Sequence, residues 1–150
     1  MHLGPLAALP HWYWEVAYVG KRFPGAVPRG QLGEGANCQL WAYEVLDHFG
    51  LAVPDHRSDE LWYDTLATGR VEEPEPLDLV LYKGDGDPYG AHVGVWTGDA
   101  VAHLCAEVGR PILWPQAEFD ARPRYAVRIG FKRLTRRLIT ESAQEARSNR

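Results

Sequence analysis

The sequence predicts an α+β fold in which N-terminal helices pack on an antiparallel β-sheet, and three observations carry that prediction. Apolar residues recur at spacings of three and four after Cys38, the mark of one buried helical stripe. Short apolar runs bounded by Gly, Pro or Asp fill the second half, as strands do. The chain of 150 residues is 45% hydrophobic, enough to bury one core without disulfides or a structural metal.

From the N-terminus, the aromatic run from His11 to Val19 reads as a short helix whose aromatics belong to the core. Five glycines and two prolines between Gly20 and Gly35 break any periodicity and mark a long loop. Its Gly30-Gln31-Leu32-Gly33-Glu34-Gly35 segment is not a phosphate loop, because no Lys-Ser/Thr follows and no strand precedes it. Cys38, Trp41, Ala42, Val45, Leu46 and Phe49 then form the helical stripe, with Asn37 as cap and Gly50 and Pro54 ending a helix over Cys38 to Phe49. A second helix is expected from Ser58 to Leu66, with Ser58 as its cap. The acidic, proline-containing 72–76 segment is a solvated connector. Strands are expected at Leu77 to Tyr82, Ala91 to Thr97, Ala100 to Cys105, Pro111 to Trp114 and Tyr125 to Lys132. The last stretch, 135–150, is polar with few large apolar residues, so the folded domain is expected to span 1–134 and be followed by a tail.

A formal net charge of −4 offers no broad attraction to nucleic acid or anionic membranes. No apolar run reaches the roughly 18 residues a membrane span needs. Two cysteines do not make a disulfide scaffold, and the apolar N-terminal patch lacks a basic leader and is broken by Pro5 and Pro10. A cytoplasmic location is therefore the expectation, with export by a non-classical or phage route left open.

The segment from Ala91 to Cys105 carries the chemistry. Gly98-Asp99 is a two-residue turn between two alternating runs, which sets Thr97 opposite Ala100, Gly94 opposite His103 and His92 opposite Cys105. His92, Gly94 and Trp96 then share a face with Val101, His103 and Cys105, and the two histidines become diagonal neighbours roughly 7–8 Å apart by Cα. Cys38 sits where the unpaired N–H groups of a helix start favour a thiolate and an oxyanion. A Cys38 nucleophile, a His92 base and a His103 orienter make a thiol-dependent acyl-transfer site that needs no cofactor and no metal.

Rival uses of the same residues are weaker. Cys38, His92, His103 and Cys105 make a formal Cys2His2 zinc set, but nothing pairs as Cys-x-x-Cys or His-x-x-x-His. Asp85-Gly86-Asp87 is a fragment of a calcium loop without the remaining ligands. His2, His11, His48 and His56 have no companions.

From about Val19 to Phe131 the chain resembles the NlpC/P60 family of papain-like cysteine peptidases. Val19-Gly20-Lys21-Arg22-Phe23 is similar to the family's Val-Gly-Lys-Pro-Tyr entry, Asn37-Cys38 stands at its Asp-Cys-Ser, and Phe49-Gly50-Leu51 at its helix end. Leu77-Asp78-Leu79-Val80-Leu81-Tyr82 resembles its Gly-Asp-Leu-Val-Phe-Phe strand, His92-Val93-Gly94-Val95-Trp96 its His-Val-Gly-Ile-Tyr segment, and Ala102-His103 the strand of its third polar residue. The resemblance implies the papain-like NlpC/P60 fold and assigns Cys38, His92 and His103 as nucleophile, base and orienter. It also implies a peptide or peptidoglycan-derived substrate, cleaved between D-glutamate and a diamino acid. Phe23, Asn37, Gly94 and Trp96 are the expected substrate-binding residues, and the loop from Phe23 to Gly35 is expected to border the cleft. Phe23 departs from the family's Tyr, Asn37 from Asp, Gln39 from Ser and Leu77 from Gly. An acyltransferase or thioester-forming relative, or an inactive binding module, would use the same positions.

Overall fold

The computed structural model describes residues 1–135, so of the expected tail only Thr135 falls within it. The helices are α1 (Cys38–His48), α2 (Ser58–Tyr63) and α3 (Gln116–Asp120). The strands are β1 (Thr68–Val71), β2 (Leu79–Tyr82), β3 (His92–Trp96), β4 (Val101–Leu104), β5 (Pro111–Trp114) and β6 (Arg128–Leu134). They form one sheet in the order β1-β6-β2-β3-β4-β5, every neighbouring pair antiparallel. The fold is α+β, a mixed helical layer on an antiparallel sheet. Among the described residues no helix is long and apolar enough to cross a membrane.

Strand alternation divides the core in two. Leu79, Leu81, Val93, Val95, Ala102 and Leu104 turn to the face covered by α1, whose Leu40, Trp41, Val45 and Leu46 are fully buried there or nearly so. Val80, Tyr82, Val101, Cys105, Trp114 and Phe131 join Phe119 of α3 and Tyr125 in a second cluster. The first cluster also takes Leu6, Leu9 and Val16 from the N-terminal segment, which lies beside Pro111, Ile112 and Leu113 of β5.

Several boundaries differ from expectation for local reasons. His11–Glu15 is a 3-10 turn rather than an α-helix. Helix α2 starts at Ser58, its expected cap, so the cap moves back one residue to Arg57, and the Ser58 hydroxyl instead accepts the Ala91 N–H at 3.0 Å, tying α2 to the start of β3. The same helix stops at Tyr63 because the Asp64 carboxylate takes the N–H groups of Leu66 and Ala67. Strand β1 was not expected, since Thr68-Gly69-Arg70-Val71 shows little apolar alternation. It exists through pairing with β6, Thr68 opposite Leu134 and Val71 opposite Phe131. Strand β6 begins at Arg128, after a 3-10 turn at Pro123–Tyr125 takes Tyr125, the residue expected to open it.

A buried ion pair locks the sheet centre. Arg133 of β6 donates through Nε and Nη2 to the two carboxylate oxygens of Asp78, each at 2.8 Å, and Asp78 is fully buried just before β2. Removing one partner of such a pair leaves a charge without compensation and costs about 3–5 kcal/mol. Asp78→Ala is therefore expected to lower the melting temperature by on the order of 10 °C, measured by calorimetry, while Glu75→Ala at the exposed margin of the same pair shifts it little.

Candidate active site

The site is built where the start of α1 meets the start of β3. Asn37 stands in extended conformation and its side chain accepts the Leu40 N–H at 2.9 Å, which fixes the first turn and makes Cys38 the first helical residue. Backbone N–H groups of β3 alternate in direction: that of Trp96 reaches Asp78 on the β2 side, that of Thr97 reaches Ala100 on the β4 side. The N–H of Val93 shares the direction of Thr97. The β3–β4 ladder holds only Val95 opposite Ala102 and Trp96 opposite Val101. Beyond it, the Val93 N–H serves the Cys38 sulfur instead. Burial pushes the Cys38 thiol up, and the backbone N–H groups of Val93, Gln39 and Cys38 itself work against that rise.

The hairpin register follows the expected one, with Thr97 opposite Ala100, although the ladder ends before His92 would face Cys105. The two histidines meet edge-on, ring centroids 4.9 Å apart, and His92 Nε2 lies 2.8 Å from His103 Nδ1. His92 therefore spends Nε2 on His103 and keeps Nδ1 for the cleft it lines with Cys38. Trp114, Phe119 and Tyr125 wall the pair in, with centroids 4.3 Å and 4.9 Å from His103 for the first two and 4.8 Å from His92 for the third. His103 Nε2 is buried with no hydrogen-bond partner among the described residues. Burial, and after it the Arg124 charge, holds His92 down at about 3, and burial likewise keeps His103 well below its ordinary value. At neutral pH the trio rests as a thiol and two neutral imidazoles.

The cleft has a volume of about 550 Å³, and Tyr18, Cys38, Tyr82, His92, Arg124 and Tyr125 are among its walls. Cys38, His92 and His103 thus come together: the first two line the cleft and the third lies behind His92. Phe23, Asn37, Gly94 and Trp96 are not among the lining residues. Phe23 lies under the Arg57 guanidinium, 4.0 Å from its ring centroid, and Trp96 packs edge-on against Phe131. Gly94 is a packing residue over which Val101 and His103 lie. The loop that follows Phe23 is clamped to the flank of α1, Arg29 binding Asp47 and Asp55 and the Gly30 N–H binding Glu44. The wall expected from that loop comes instead from Tyr18, aligned beside Ala36 by an isolated bridge and anchored by its N–H to Gly109 at 3.0 Å. A tyrosine therefore lines the cleft with Cys38 although Phe23 does not. Burial, and then the Cys38 charge, raises the Tyr18 phenol, so it is a hydrogen-bond donor at neutral pH.

The sequence matches no protein-family model and no curated protein. Among the described residues no group of three or more His, Cys, Asp or Glu side chains is placed to hold a metal ion.

The buried neutral histidines make stability pH-dependent. Unfolded, His92 takes a proton near 6.5; folded, only near 3. Between those values unfolding takes up protons, so stability is full above about pH 6.5 and is lost as pH falls, by up to about 1.4 kcal/mol per pH unit per histidine. Melting temperatures measured from neutral pH down to about pH 4 should fall, and His92→Gln should make that fall shallower.

Proposed function

We propose that the protein is a papain-like cysteine peptidase or amidase of the NlpC/P60 kind, with the bond between D-glutamate and a diamino acid in peptidoglycan stem peptides as its substrate. The observation that carries this is the 2.8 Å contact from His92 Nε2 to His103 Nδ1, which leaves Nδ1 as the His92 nitrogen available to the cleft that Cys38 lines. For Nδ1 to accept a proton, Nε2 must carry the other and donate to His103; the His103 tautomer is then protonated at Nε2, facing aromatic rings. As substrate binds, Cys38 gives its proton to His92 Nδ1 and the sulfur attacks the amide carbonyl carbon. The imidazolium so formed still donates from Nε2 to His103, which is how His103 favours it.

The developing oxyanion is held by N–H groups of the first turn of α1 and by the Tyr18 hydroxyl. His92 then protonates the departing amine, the carbon–nitrogen bond breaks, and a thioester remains on Cys38. Water attacks it with His92 again as base, releasing the acid and restoring the thiol.

Mass spectrometry of muropeptides is the direct test: wild type should yield cleaved stem peptides, and Cys38→Ala and His92→Ala none. His103→Asn should keep a measurable remainder, since Asn can still accept from Nε2. Tyr18→Phe should lower kcat by about tenfold or more with little change in melting temperature. Iodoacetamide should label Cys38 before Cys105, which is 1% exposed. Intact cleavage by Cys38→Ala would refute the proposed nucleophile.

A further inference from the structure

Gly84, Asp85 and the Pro123–Tyr125 turn line the same cleft as Cys38. Gly84 and the Pro123–Tyr125 turn are pressed together: the Gly84 N–H donates to the Arg124 carbonyl at 2.9 Å, and a Cβ on Gly84 would fall 2.1 Å from the Pro123 carbonyl oxygen. The neighbouring Lys83 N–H binds the Val127 carbonyl at 3.0 Å. This backbone contact holds Lys83, Asp85 and Arg124 on one rim. Lys83 is occupied, its Nζ 2.6 Å from the Tyr89 carbonyl and 3.8 Å from Asp85. The Arg124 guanidinium has no hydrogen-bond or ion-pair partner among the described residues, in contrast to Arg22, Arg29, Arg122 and Arg133. It is also near enough to act on His92 and on the phenols of Tyr18 and Tyr125, which together span the cleft.

We infer that Arg124 is a specificity-determining residue that binds a carboxylate of the substrate beside the scissile amide. A planar guanidinium on a fixed backbone pairs with a carboxylate through two parallel hydrogen bonds, and this one has no internal acceptor to give up. The carboxylate belongs either to the acyl part, as the free α-carboxylate of a residue joined through its side chain, or to the leaving part, as a chain terminus. The inference rests on the thiol-hydrolase function proposed above.

The test separates the two by using the cysteine itself. Alkylation of Cys38 by iodoacetate, which carries a carboxylate, and by neutral iodoacetamide is followed near pH 8 by peptide mass spectrometry in wild type, Arg124→Gln and Arg124→Lys. The iodoacetate-to-iodoacetamide rate ratio should fall at least about fivefold in Arg124→Gln and less in Arg124→Lys, the ratio cancelling any change in thiol reactivity common to both reagents. Among peptides, Arg124→Gln should raise KM about tenfold or more further for substrates with the free carboxylate than for their carboxamide counterparts. Amidating the acyl-side carboxylate or the chain terminus in turn shows which one Arg124 reads. An unchanged alkylation ratio in Arg124→Gln overturns the inference while leaving the thiol hydrolase standing. Failure of iodoacetamide to modify Cys38 in wild type overturns the hydrolase and the inference with it.

Discussion

The missing side chain at Gly94 is the constraint on which the site depends. A Cβ there would lie 2.5 Å from Val101 Cγ1 and 3.2 Å from both the Ala102 oxygen and His103 Cβ. Only without it can the β4 side chains lie across β3 and bring the His103 ring to His92. At the same position the β3–β4 ladder gives out, and the Val93 N–H becomes available to the Cys38 sulfur. One atom's absence thus lets the His103 ring reach His92. Any larger residue would force backbone shifts of the kind that cost about 1–3 kcal/mol in packed cores.

The aromatic cluster behind the histidines sets their electrical state. Tyr82 and Phe119 stack face to face, ring centroids 4.0 Å apart and planes 5° from parallel, and Trp114 and Tyr125 complete the enclosure. Such surroundings disfavour imidazolium, so in the mechanism proposed above proton transfer from Cys38 is coupled to the arrival of substrate. The unpartnered His103 Nε2 has the same cause: aromatic rings occupy the directions in which a polar partner would stand, and a ring face is the acceptor they offer.

Much of this was legible in the sequence, and the part that was not has a common physical origin. Helix α1, its Asn37 cap and the hairpin register are set by residues close together in the chain, so Cys38, His92 and His103 could be placed before any coordinates. Tyr18, Arg124 and Tyr125 reach the cleft through contacts between distant segments, Tyr18 with Gly109 and Gly84 with Arg124, for which no local pattern exists. Strand β1 has no local signal for the same reason, because its pairing is supplied by β6. Phe23 was expected at the cleft from its place in the chain. Arg57 stacks on its ring, and Arg29 ties the loop that follows to α1.

The margins of the sheet have a consequence for how these molecules behave toward one another. Its two outer strands, β1 and β5, are four residues each. The first carries Arg70, its guanidinium stacked 4.0 Å from the Trp62 ring, and the second begins with Pro111, which has no N–H to donate. Short, charged or proline-bearing borders are poor templates for an incoming strand. A sheet whose interior strands are largely buried therefore ends in margins that resist chain-to-chain growth, which favours discrete molecules over fibres when the protein is concentrated.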